Sequence, residues 1–151
     1  MAKHRSVCDA SANDRAGACA PASVCWSGRV LAAMLAVHAL LLGWGAFLHS
    51  PTYDEAAHLP AGIRHWTHGD FELFRVNPPL ARMVAALPVL LMRPEVDWTL
   101  LERPSVPGQR LDFGVGRRFI AANGSRSFWY YSIGRLACVP LSLMGAAVCY
   151  R

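Results

Sequence analysis

The sequence predicts an all-α membrane protein: two transmembrane helices joined by a long extracytoplasmic loop that carries interfacial amphipathic helices. Three observations point to it. Residues Val30–Leu48 form an apolar run free of Asp, Glu, Lys and Arg. A second apolar segment runs from Ile133 to Tyr150. The composition is 54% hydrophobic and 17% charged, against roughly 25% charged in ordinary globular chains.

The first span is expected over residues 29–48. At about 1.5 Å per residue its apolar run reaches roughly 28 Å, close to the hydrocarbon thickness of a bilayer. A cleaved signal peptide has a shorter apolar core, about 7–15 residues, with small residues before the cut. Here the run leads into Phe47-Leu48-His49-Ser50-Pro51, a poor cleavage site, so the segment reads as a retained anchor. His38 is its one ionisable side chain, expected to be neutral and to face another helix rather than a ligand.

Residues 1–28 read as a flexible cytoplasmic tail, rich in Ala, Ser and charge and without apolar periodicity. Lys3, Arg5, Arg15 and Arg29 outnumber Asp9 and Asp14 before the first apolar run, which favours a cytoplasmic N-terminus. The net charge of +5 is scattered, with no basic cluster interleaved with aromatics, so no nucleic acid is expected as a partner. No pair among the five cysteines has CxxC spacing, and no Cys/His cluster has zinc-finger spacing.

Residues 49–132 form the expected outer loop. Within it, residues 78–92 contain an apolar stretch too short to span, suited to an interfacial or re-entrant helix. Residues 93–127, rich in Pro, Gly and Arg, read as irregular loop. Asn123-Gly124-Ser125 fits a glycosylation sequon, a pattern frequent by chance. The second span is expected over residues 133–151. The aromatic cluster Phe128-Trp129-Tyr130-Tyr131 before it suits a membrane interface. Pro140 is tolerable inside a span, and Arg135 lies near the edge, where it can snorkel to the headgroups.

The informative stretch is 51–71, PTYDEAAHLPAGIRHWTHGDF. It predicts a helix from Tyr53 to about His68, kinked at Pro60. At 100° per residue, Asp54, His58, His65 and His68 fall within one stripe of about 80°. Ala56, Leu59, Ile63 and Trp66 fall opposite, so the helix is expected to lie apolar face down in the interface. Two readings of its polar residues stay open. Thr52-x-x-Glu55 has the form of a capping box, and early acidic residues suit the helix dipole. Alternatively the stripe carries chemistry, including a divalent-metal site built from Asp54, His58 and His65.

The order of short motifs supplies a resemblance. A first span is followed by Asp54-Glu55, then Gly69-Asp70-Phe71, then Asn77-Pro78-Pro79-Leu80 with Arg82, and then Arg135-Leu136 at the head of the second span. This pattern resembles the opening of the lipid-carrier-dependent glycosyltransferases of the GT-C superfamily, the clan of protein O-mannosyltransferases and aminoarabinose transferases. The resemblance implies a polyprenyl-phosphate sugar donor and a hydroxyl acceptor in a bacterial inner membrane. It implies a catalytic carboxylate at Asp54 with Glu55 beside it, because a hydroxyl is a poor nucleophile without a base. The anionic leaving group needs cations rather than an acid, and Arg82 and Arg135 are the candidates by position, with His58 a further substrate contact. Asn77 stands where the clan usually has a basic residue or His. The resemblance covers only the front of such an enzyme, and the chain alone is expected to lack the partner spans that complete a site. The rival expectation is a small non-enzymatic membrane protein whose amphipathic loop binds a partner helix or lipid.

Overall fold

The computed structural model describes residues 22–102 and 110–150. They form five helices: α1 (Ala22–Leu48), α2 (Tyr53–His68), α3 (Leu80–Leu91), α4 (Leu111–Asn123) and α5 (Arg126–Cys149). There is no strand among the described residues. The expected tail lies outside them, except that α1 already begins at Ala22.

Two helices have the length and apolarity to cross a membrane, over Gly28–Leu48 and Arg126–Cys149. Both are largely exposed in this structure. On α1, Met34 is 67%, Leu40 73% and Trp44 70% exposed. Side chains of this size left in water forgo roughly 1.5–3 kcal/mol each relative to burial. Such a surface is what a helix facing an apolar medium presents. The second apolar helix starts earlier than Ile133 and takes in the whole aromatic cluster 128–131.

α2 is the hub of the remainder. It packs against α3 on one side and α4 on the other, while α3 leans on α5 and α1 packs on α5. One core cluster joins Leu59 and Ile63 of α2 to Ala86 and Val89 of α3, Phe119 of α4, and Tyr130 and Tyr131 of α5. A second joins Ala57 and Ala61 to Val115 and to Leu73 and Phe74 of the α2–α3 connection. α2 therefore does not lie with one face in an interface. His65, placed on the polar stripe by periodicity, is 4% exposed, and Trp66, placed on the apolar face, is 48% exposed. The division into two faces fails because α2 has a neighbour on both sides, so burial follows the two contacts rather than one apolar arc.

The second correction is α4. Residues 93–127 are not all irregular: a helix occupies Leu111–Asn123. Gly114 and Gly116 and a weak amphipathic pattern hide it, since glycine costs about 1 kcal/mol in a helix interior. Packing supplies the reason for glycine. A Cβ on Gly116 would collide with the backbone of Ala56 and Ala57, so only glycine lets α4 approach α2 this closely.

Candidate functional site: a cleft with a polar head

A cleft of about 920 Å³ opens between α1, α2, α3 and α5. Its apolar wall comes from Leu41 and Leu42 of α1 and from Val139 and Leu141 of α5. Its polar end is built by His49, Glu55, His58, Asn77, Arg82 and Arg135. The cleft is thus an apolar trough that ends in charged and polar groups.

Local sequence positions the carboxylates. Thr52 caps α2 through its hydroxyl to the Glu55 N–H, and the Glu55 carboxylate accepts the Thr52 N–H at 2.9 Å. The capping-box reading is therefore realised. Glu55 does more than cap. Arg135 Nε donates to Glu55 Oε1 at 2.8 Å and Nη2 to Oε2 at 2.6 Å. Burial pushes the Glu55 carboxyl up, but the Arg135 and Thr52 hydrogen bonds outweigh it and hold the group below its ordinary range. Asp54 points elsewhere: it is exposed and does not line the cleft. Its charge reaches Arg110, which it helps Asp112 to raise above the ordinary arginine range.

His58 does line the cleft, with its ring edge on Phe74 at 4.1 Å between centroids. Its Nε2 lies 3.4 Å from the Asn77 side-chain amide. Burial, and next the Arg82 cation, lower its pKa from 6.5. Arg82 is only 5% exposed. Its Nη1 donates to the carbonyls of Leu73 and Phe74, and its Nη2 to the carbonyl of Asn77. It thereby holds a turn in which Phe74 adopts φ 61°, a left-handed conformation that costs a non-glycine residue roughly 1–2 kcal/mol. Its buried Nε has no partner among the described residues.

The other singled-out residues have structural surroundings. Asp70 accepts the Glu72 N–H and the Arg64 Nε; these two bonds, in that order, hold its carboxyl below the ordinary value. Phe71 stacks on His65 at 4.4 Å, and His65 Nδ1 lies 2.6 Å from the Asp70 carbonyl oxygen. That turns His65 away from Asp54 and His58. No group of three His, Cys, Asp or Glu side chains able to hold a metal comes together among the described residues. The sequon residue Asn123 is 6% exposed. Its amide donates to the Glu95 and Phe119 carbonyls and its oxygen accepts the Glu95 N–H, so it serves as an internal tie. His38 faces a neighbouring helix as expected, with Nε2 2.9 Å from Ser142 Oγ of α5.

Sequence reasoning had no means of finding Ser142 or the contact between His58 and Asn77. The first arises between two helices far apart in the chain, the second between α2 and the connection to α3. No family model, curated protein or solved structure matches this chain.

Proposed function

We propose that this chain forms the lipid-carrier seat of a GT-C-type membrane glycosyltransferase, which moves a sugar from a polyprenyl phosphate to a hydroxyl acceptor. The observation that carries the reading is the cleft, whose apolar wall runs between the two long helices and whose polar head holds Arg82, His58 and Asn77. In this reading α1 and α5 cross a bacterial inner membrane with the N-terminus in the cytoplasm, and α2–α4 stand on the outer side. The prenyl chain lies along α1 and α5. The phosphate meets Arg82, which retains unused donors, and His58. The resemblance gives the role of base for the acceptor hydroxyl to Asp54, which stands exposed at the start of α2 outside the cleft lining. Glu55 holds the end of that helix in place. Transfer itself is not expected from these residues alone, because two spans make one wall of a site that must exclude water around the reacting groups.

Photo-crosslinking tests the seat. The chain, reconstituted in nanodiscs, is irradiated with a diazirine-bearing polyprenyl phosphate. Saturable labelling of the Leu41–Leu42 and Val139–Leu141 wall, competed by unlabelled polyprenyl phosphate and not by phosphatidylglycerol, is the expected result. Labelling that is unsaturable, or competed equally by both lipids, would overturn it.

A further inference from the structure

The head of the cleft contains an arginine whose donors are all in use. A guanidinium has five N–H groups in a fixed fork. In Arg135, Nε and one Nη2 hydrogen engage the two oxygens of Glu55. The other Nη2 hydrogen goes to the Ser50 carbonyl at 3.0 Å. Nη1 serves the carbonyls of Ala46 at 3.2 Å and His49 at 2.7 Å. These carbonyls lie in the last turn of α1 and just beyond it, where helix geometry leaves oxygens without partners. Glu55 is bound in turn to the first turn of α2. One side chain of α5 thus ties down the end of α1 and the start of α2 together.

The location gives this tie its consequence. Among the described helices α1 packs only against α5. The described polar bonds along that seam are the Arg135 node and the His38–Ser142 bond, about two helical turns apart on α5. The cleft runs between these levels, with Arg135 and Ser142 both in its lining.

We propose that Arg135 is a positioning residue, a clamp that holds α1 against α5 and sets the opening of the cleft, and that it does not bind the ligand's anion. The ligand used to test this rests on the lipid-phosphate reading above; the clamp does not. For Arg135 to reach a phosphate it would have to abandon a bidentate carboxylate, the strongest and most directional partner available to it, together with three carbonyls. The anion then falls to Arg82 and His58.

Two measurements on the reconstituted chain test the clamp. The first is affinity for a polyprenyl phosphate and for the matching neutral polyprenol, in wild type, Glu55→Gln, Arg135→Gln and Arg135→Lys. A clamp predicts that all three variants weaken both lipids by the same factor, about tenfold. Lysine keeps the charge but not the fork, so it is expected not to rescue. An anion ligand predicts the opposite pattern. Glu55→Gln would free Arg135 and tighten phosphate binding, Arg135→Gln would weaken the phosphate alone, and Arg135→Lys would retain it. Any of these three overturns the proposal. The second measurement needs no ligand. Electron-electron resonance between nitroxides at Trp44 and Met144, 70% and 61% exposed, reads the separation of α1 and α5 in a background with the native cysteines replaced by alanine. The distribution is expected to broaden in Glu55→Gln, the milder variant, and further in Arg135→Gln. An unchanged distribution in both removes the clamp. If wild type binds neither lipid, the functional reading fails while the distance measurement still decides the clamp.

Discussion

Gly62 of α2 lies directly against the backbone carbonyl of Arg82 in α3. A Cβ at Gly62 would overlap that carbonyl and press on the Ala86 Cβ. The contact fixes the separation of the two helices that supply His58 and Arg82 to the cleft. Gly62→Ala gains about 1 kcal/mol of helix propensity. It also forces apart two backbones that cannot yield as a side-chain tip can, and overpacking of this kind costs about 1–3 kcal/mol. The net effect is expected to be destabilising. Thermal unfolding in detergent should show a lower midpoint than wild type; an unchanged or raised midpoint would mean that α3 shifts freely.

His58 should make anion binding depend on pH. Its free-state pKa lies below 6.5, through burial and then the Arg82 charge, with Asp54, Glu55 and Asp112 pulling the other way. An anion seated beside it favours the protonated ring, so binding takes up a proton. Polyprenyl-phosphate affinity is expected to rise as pH falls below 6.5, and the neutral polyprenol should show no such trend. His58→Gln should flatten the phosphate curve. A pH profile that survives this substitution would assign the proton to another group.

Acid should loosen the head of the cleft and the turn after α2 together. Glu55 and Asp70 both have folded-state pKa values lowered from their ordinary 4.5 and 3.8. A carboxylate with a depressed folded pKa contributes stability above its unfolded value and loses it as pH falls through the folded one. The contribution of these two carboxylates is expected to be full above about pH 5 and to fall below pH 4.5, while His58, with its lowered folded-state pKa, adds a separate gain in stability as pH rises through 6.5. Glu55→Gln should lower the plateau and make the acid slope shallower, as read by denaturant titration of the detergent-solubilised chain.

Orientation can be read with reporters. The N-terminal excess of Lys3, Arg5, Arg15 and Arg29 predicts a cytoplasmic N-terminus. A phosphatase fused after Leu100 should be active as an exported enzyme, and a fluorescent protein at the N-terminus should fluoresce in the cytoplasm. The reverse pattern would put Asp54 and the cleft head on the wrong side for the proposed reaction.

The elements visible in the sequence were those with a local cause. Apolar length marked α1 and α5, and the Thr52–Glu55 spacing marked the start of α2 at the observed residue. The short apolar run after Pro78-Pro79 marked α3. Each depends on residues within a few positions of one another, where propensity and capping act. Which side chains can serve a ligand is a different kind of fact. Periodicity set His65 beside His58, and the family resemblance offered Arg135 to a phosphate. The fold buries the first against Phe71 and fills every donor of the second. It also makes a helix of Leu111–Asn123 by giving Gly116 a backbone to pack on. These outcomes were decided only in three dimensions, because the free energy of a charged or glycine-rich segment depends on partners such as Glu55 and Ala56. Those partners lie far along the chain, and no local pattern encodes them.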